Sequence, residues 1–130
     1  MKRALVATIV LAFVAAALPA LAQGPSATEF YKTYRAAWAK ATSFQDVASF
    51  HSKASQAKLA EIPADEQKMM FEMVKEMDPK DVKVVKETAT ATGATLDLTG
   101  VDADKKTVTG TVELVKEGGA WKMVKESWKM

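Results

Sequence analysis

Few side chains in this sequence could do chemistry. His51 is the only histidine and cysteine is absent. No His–His metal pair, thiolate metal site, disulfide or Ser-His-Asp triad with a spare partner can therefore be built. His51 titrates near neutrality and is a candidate pocket group, although beside Phe44 and Val47 it also suits a packing role. The cluster Met69, Met70, Met73 and Met77 raises a second chemistry, since thioethers bind Cu(I) and His51 could add a nitrogen ligand. Met70, Met73 and Met77 nevertheless repeat with the period of a helix face, so core packing is the favoured account and no metal is expected. Asp102, Asp104 and Glu113 stand where the first, third and twelfth ligands of a calcium loop would. Lys106 and Thr107 then occupy the places of an oxygen ligand and of the glycine, and calcium is set aside. Tyr31, Trp121 and Trp128 could stack on a sugar or an aromatic ligand, while the lysines of the last strands alternate with Glu113, Glu117 and Glu126 as a solvated mixed-charge face does.

These residues need elements to position them. Ser26 and Glu29 have the spacing of a capping box, and Phe30, Tyr34, Ala37, Trp38 and Ala41 follow a helical period, which predicts a helix from Ala27 to about Ala41. Thr42 with Gln45, or Ser43 with Asp46, caps a second helix from Phe44 that breaks near Ser52 and resumes through Leu59. A third is expected from Pro63 to Met77, with Asp65 and Glu66 near its positive end, its Met70, Met73, Val74 and Met77 face buried, and Asp78-Pro79 ending it. Beyond Pro79 the apolar period becomes two. Val82 and Val84, then Ala94, Leu96 and Leu98, then Val108, Val112 and Leu114 read as strands, with Gly93, the Gly100–Lys106 stretch and Gly118-Gly119 at the turns. The last strand holds Trp121, Met123, Val124 and Trp128, so both of its faces are expected to be partly apolar. The order is that of an α+β domain with N-terminal helices packed on a curved four-stranded antiparallel sheet.

Lys2 and Arg3, the apolar run Ala4–Leu18 and Ala20-Leu21-Ala22 have the layout of a secretory signal cleaved near Ala22, leaving one domain over residues 23–130. The apolar run is too short to span a bilayer, so no stable membrane anchor is expected after cleavage. Lys2 and Arg3 belong to that segment and no acidic residue does, which balances the rest of the 18 basic residues against the 16 acidic ones. Nucleic acid is disfavoured as a partner, for want of the basic surface that phosphates require. An exported domain without disulfides fits the periplasm or medium of a bacterium.

The capped first helix with Phe30, Tyr31, Tyr34 and Trp38, the run Asp46-Val47-Ala48-Ser49-Phe50, and above all Val112–Val124 with its Gly118-Gly119-Ala120-Trp121-Lys122 hairpin resemble the nuclear transport factor 2-like superfamily. That resemblance implies a cone of helices and sheet, and a function among isomerases, dehydratases, hydrolases and non-catalytic binding modules. In its steroid-isomerase-like enzymes an acid and a tyrosine face each other in the open end of the cone, and Tyr31, Tyr34, Asp46, His51 and Asp97 are the residues here that such chemistry could recruit. No complete catalytic set emerges from them. The leading expectation is a non-enzymatic exported domain, without a cofactor, that binds a small apolar ligand or an envelope protein. Its ligand residues would be Tyr31, Tyr34, Trp38, His51 and Trp121, and a homodimer through the sheet is a candidate assembly. The rivals are a small lyase, isomerase or hydrolase using a pocket acid or His51, and Cu(I) handling through Met70, Met73 and Met77.

Overall fold

A computed structural model of the chain describes residues 24–129; the segment read as an export signal lies outside them. Helix α1 spans Ala27–Lys40, and the Ser26 hydroxyl caps it by accepting the Glu29 amide at 3.1 Å. Its buried face is Ala27, Tyr31, Tyr34 and Trp38. The stripe is thus rotated from the expected one, with Tyr31 at its centre and Phe30 and Ala37 only half-buried at its edge. A 3-10 helix, Phe44–Phe50, and helix α2, Lys53–Ala60, replace the single interrupted helix. The break falls at Ser52, whose hydroxyl accepts from the Ser55 amide and so starts α2. Helix α3, Ala64–Met77, follows Pro63.

Four strands then run antiparallel in chain order, β1 Lys80–Ala89, β2 Gly93–Val101, β3 Thr107–Glu117 and β4 Ala120–Lys129. The expected α+β architecture is present: among the described residues, four helical segments are followed by an antiparallel meander. In β2 and β3 the alternation is strict. Ala94, Leu96 and Leu98 with Val108, Val112 and Leu114 are buried under the helices, while Thr95, Thr109, Thr111 and Glu113 are exposed on the other side. Gly100 falls within β2, and Asp102 closes the turn that follows, its Oδ1 accepting from the amides of Asp104 and Lys106. The would-be calcium residue is thereby committed to a turn.

Strand β4 differs from its expected two-faced character. Leu114 stands opposite Met123, Glu113 opposite Lys125 and Val112 opposite Glu126, so one extra residue, Val124, is bulged out of register. Trp121 and Met123 before the bulge and Glu126 and Trp128 after it consequently share the inner face. Without the bulge Lys125 and Ser127 would take those inward places. The pattern that suggested sheet-to-sheet pairing is accounted for within one chain. Room for Trp128 comes from two glycines: a Cβ on Gly110 would lie 2.7 Å from the Trp128 ring, and one on Gly100 would lie 3.3 Å from it. Any side chain at Gly110 pushes the indole off the sheet.

Helix α3 is the larger departure. Met70, Met73, Val74 and Met77 were expected in the core, yet they are 39–57% exposed, and Phe71 is the one buried residue of the helix. The reason is space. Tyr31, Tyr34 and Trp38 of α1 already cover the sheet, so α3 reaches the core only where Phe71 meets the edges of Trp38 and Phe44, at ring separations of 5.3 and 5.2 Å.

Candidate functional site

A cavity of about 500 Å³ opens between α1, α3 and β4. Its volume suits a small organic molecule. Tyr34, Trp38, Phe44 and His51 form one wall; Met73, Val74, Met77 and Asp78 form the facing wall; Met123, Glu126 and Trp128 form the floor. His51 is held there by the backbone, because Ser52 donates its amide to the Met123 carbonyl at 2.8 Å and residue 51 bridges to β4 beside it. Its Nδ1 lies 3.1 Å from the Val47 carbonyl, which can only accept, so Nδ1 carries the proton. Burial lowers the His51 pKa, against the pull of the Val47 hydrogen bond, and so favours the neutral ring.

The polar end of the cavity is a cluster of three charged side chains. The Arg35 guanidinium forks onto Asp78, with Nη1 to Oδ1 at 2.8 Å and Nη2 to Oδ2 at 3.0 Å, and Nη2 also donates to the Pro79 carbonyl at 3.2 Å. Burial opposes the charge on Arg35, but the hydrogen bond to Asp78 and the neighbouring Tyr31 and Glu126 outweigh it and leave its pKa raised. Glu126 Oε2 accepts from the Trp128 indole at 2.8 Å and from the Tyr31 hydroxyl at 3.3 Å, and lies 3.8 Å from Arg35 Nη1. Burial raises the Glu126 pKa above the ordinary carboxylate range, although the Trp128 hydrogen bond and the Arg35 charge pull it the other way. Desolvation likewise raises the Tyr31 and Tyr34 phenols, which stay neutral.

The ligand residues expected from sequence are divided by the structure. Tyr34, Trp38 and His51 line the cavity. Tyr31 is 1% exposed and takes part only through its hydroxyl on Glu126. Trp121 is elsewhere: it is buried, its indole donates to the Pro25 carbonyl at 3.2 Å, and Lys116 Nζ sits 4.9 Å from its ring centre. Of the three helical methionines weighed as Cu(I) ligands, Met73 and Met77 face the cavity and Met70 does not. Asp46 is exposed in the first turn of the 3-10 helix and reaches back to accept the Thr42 amide at 2.8 Å and its hydroxyl at 3.1 Å; these bonds lower its pKa. Asp97 sits among the outward residues of β2, cross-strand from Lys86 and Thr111.

Trp128, a stacking candidate from the sequence, lines the cavity, whereas Glu126, Arg35 and Asp78 are not singled out by the sequence reading. Glu126 was read as part of a solvated face, which strict alternation from Trp121 would make it, and only the bulge turns it inward. Arg35 was placed with the polar side of α1, yet it follows Tyr31 by one helical turn and shares its edge of the buried face. The signal in the sequence for Glu126 is its spacing of two from Trp128, which puts the carboxyl on the same strand face as the indole.

No protein-family model and no curated protein matches the chain. Among solved structures it is similar to a SEC-C motif containing protein from Rhodopseudomonas palustris, determined in solution, with a TM-score of 0.58 and 15% identity over 84% of this chain and 85% of the other. That likeness is one of fold. It corrects the resemblance to the nuclear transport factor 2-like superfamily, because the structural match is to a SEC-C motif protein instead. The residues behind the resemblance were apolar spacings and a Gly-Gly turn before Trp-Lys, and any helical layer on an antiparallel meander produces these.

Proposed function

We propose that this chain is a non-enzymatic binding domain whose cavity between α1, α3 and β4 takes a small ligand with an apolar body and one polar end. The observation that carries the reading is the form of the cavity: walls of aromatic and methionine side chains, with hydrogen-bonding groups gathered at one end around Glu126. Methionine walls adapt to the shape of an occupant, and a single polar cluster fixes its orientation. The concavity is also open, since Trp38 lines it rather than fills it, and Phe50 and Trp121 lie outside it. This favours the ligand over an envelope protein as the partner. Export into the periplasm or medium belongs to the same proposal and rests on residues 1–22.

The test is binding of the uncharged fluorophore N-phenyl-1-naphthylamine. Its emission should rise on the wild-type chain and fall on addition of decanol. Val74→Trp, which puts a large side chain into the cavity from α3, should weaken binding about fivefold or more. Binding untouched by Val74→Trp would place the probe elsewhere and sink the reading. An enzymatic alternative is favoured by one observation, a carboxyl of raised pKa sharing the cavity with His51 and Tyr34. It would use Glu126, and not Asp46 or Asp97.

A further inference from the structure

The fixed charges at the polar end of the cavity do not cancel. Arg35 is the one cation of the cluster, and its fork is filled by Asp78, each carboxylate oxygen of which takes one guanidinium nitrogen. Glu126 is left with only a 3.8 Å approach to that guanidinium. Its Oε2 accepts from Trp128 and Tyr31, whereas Oε1 has no hydrogen-bond partner among the described residues. With both carboxylates ionised the cluster carries one net negative charge, in surroundings where water screens poorly. Lys125 does not offset it, because it is exposed at the rim and stands opposite Glu113 in the ladder. Neutral His51 does not offset it either.

We propose that the cavity selects an apolar amine, with Glu126 Oε1 receiving the ammonium group, over an apolar carboxylate of the same length. This deepens the ligand-binding reading and rests on it. An ammonium group supplies the donor that Oε1 lacks and brings the cluster to neutrality. A carboxylate at that end would meet Glu126, with the Arg35 fork already filled by Asp78. The aromatic walls agree, since ring faces attract cations. The same wall already holds one internally: Lys75 Nζ lies 4.5 Å from the Trp38 ring centre and donates to the Trp38 carbonyl. The groups facing Glu126 are Tyr31, Tyr34 and Arg35 from α1, Asp78 after α3, His51 before α2, and Trp128 on its own strand. With the phenols neutral and the Arg35–Asp78 pair internally compensated, two groups change charge as pH rises from acid toward neutrality: Glu126 gains a negative charge and His51 loses a positive one, and both changes favour a bound ammonium. Amine binding should therefore tighten over that interval.

Decylamine, decanol and decanoate share one tail and differ in the head, and each can be titrated below its micellar concentration near neutral pH by displacement of N-phenyl-1-naphthylamine. Decylamine should bind at least about tenfold more tightly than decanoate. Glu126→Gln should bring that ratio to within about threefold of unity, and the ratio is the readout, so a general change in affinity does not mimic the result. Decanoate binding as tightly as decylamine overturns the proposal, and a tenfold ratio that survives Glu126→Gln overturns the assignment to Glu126. If decanol, too, fails to displace the fluorophore, the cavity reading itself falls, which is a separate outcome.

Discussion

Glu126 holds its proton more tightly in the folded chain than in an unfolded one, because burial disfavours the carboxylate. Its contribution to stability is fully present below the unfolded carboxylate pKa and is lost as pH rises through the higher folded value. Glu126→Gln removes this titration while keeping an oxygen that can accept from Trp128 and Tyr31. The variant should therefore be more stable than wild type near neutrality, with the gap in urea midpoint narrowing as pH falls toward the unfolded value. A gap that widens on acidification would show that Glu126 is ionised at lower pH than its burial implies. Tyr34 and Trp38 were legible in the sequence, because a helical period puts them on one face of α1, whereas His51 reaches the cavity through its bridge to β4 and not through a helical period. The acidic half was not legible. Periodicity carries a residue's phase only as long as the strand is regular, and Val124 changes that phase between Met123 and Glu126.

Among the elements, α3 is the least anchored wall of the cavity. It is held by Phe71 in the Trp38–Phe44 aromatic cluster, by Gln67 donating to the Leu59 and Ile62 carbonyls at 2.8 and 2.9 Å, and by Lys75 on Trp38. Few buried contacts mean that local opening is easy. In hydrogen exchange the α3 amides should be protected at least about tenfold less than those of α1, and decanol should slow them. Phe71→Ala should cost about 3 kcal/mol and remove most of the α3 protection. Equal protection of α1 and α3 would refute this picture of a loosely held wall. The element boundaries themselves were largely readable, since Ser26, Ser52, Pro63 and Pro79 mark them by local chemistry. Which face of α3 would be buried was not, because it depends on how much of the sheet α1 had already covered.

At the scale of the whole molecule, stability rests on packing alone, as the chain has no cysteine. The core is a single layer of α1 aromatics on Leu96, Leu98, Val112 and Leu114, with the outward side of β2 and β3 given to threonine and charged residues. The proposal of export makes a prediction at this scale: the full chain expressed in a bacterial host should be recovered from the periplasmic fraction beginning at Gln23. Native mass spectrometry of that material reports the start residue and any retained ligand together. Recovery in the cytoplasm with Met1 or Lys2 still present would end the export reading.

The bulge at Val124 has a consequence for inheritance. Most single substitutions in β4 change one position, but a gain or loss of one codon between Met123 and Glu126 would act as a shift of frame in space, turning the carboxyl and the indole out to solvent and presenting a lysine to the aromatic wall. In descendants that keep this site, the length of that short stretch should be preserved more strictly than its spelling.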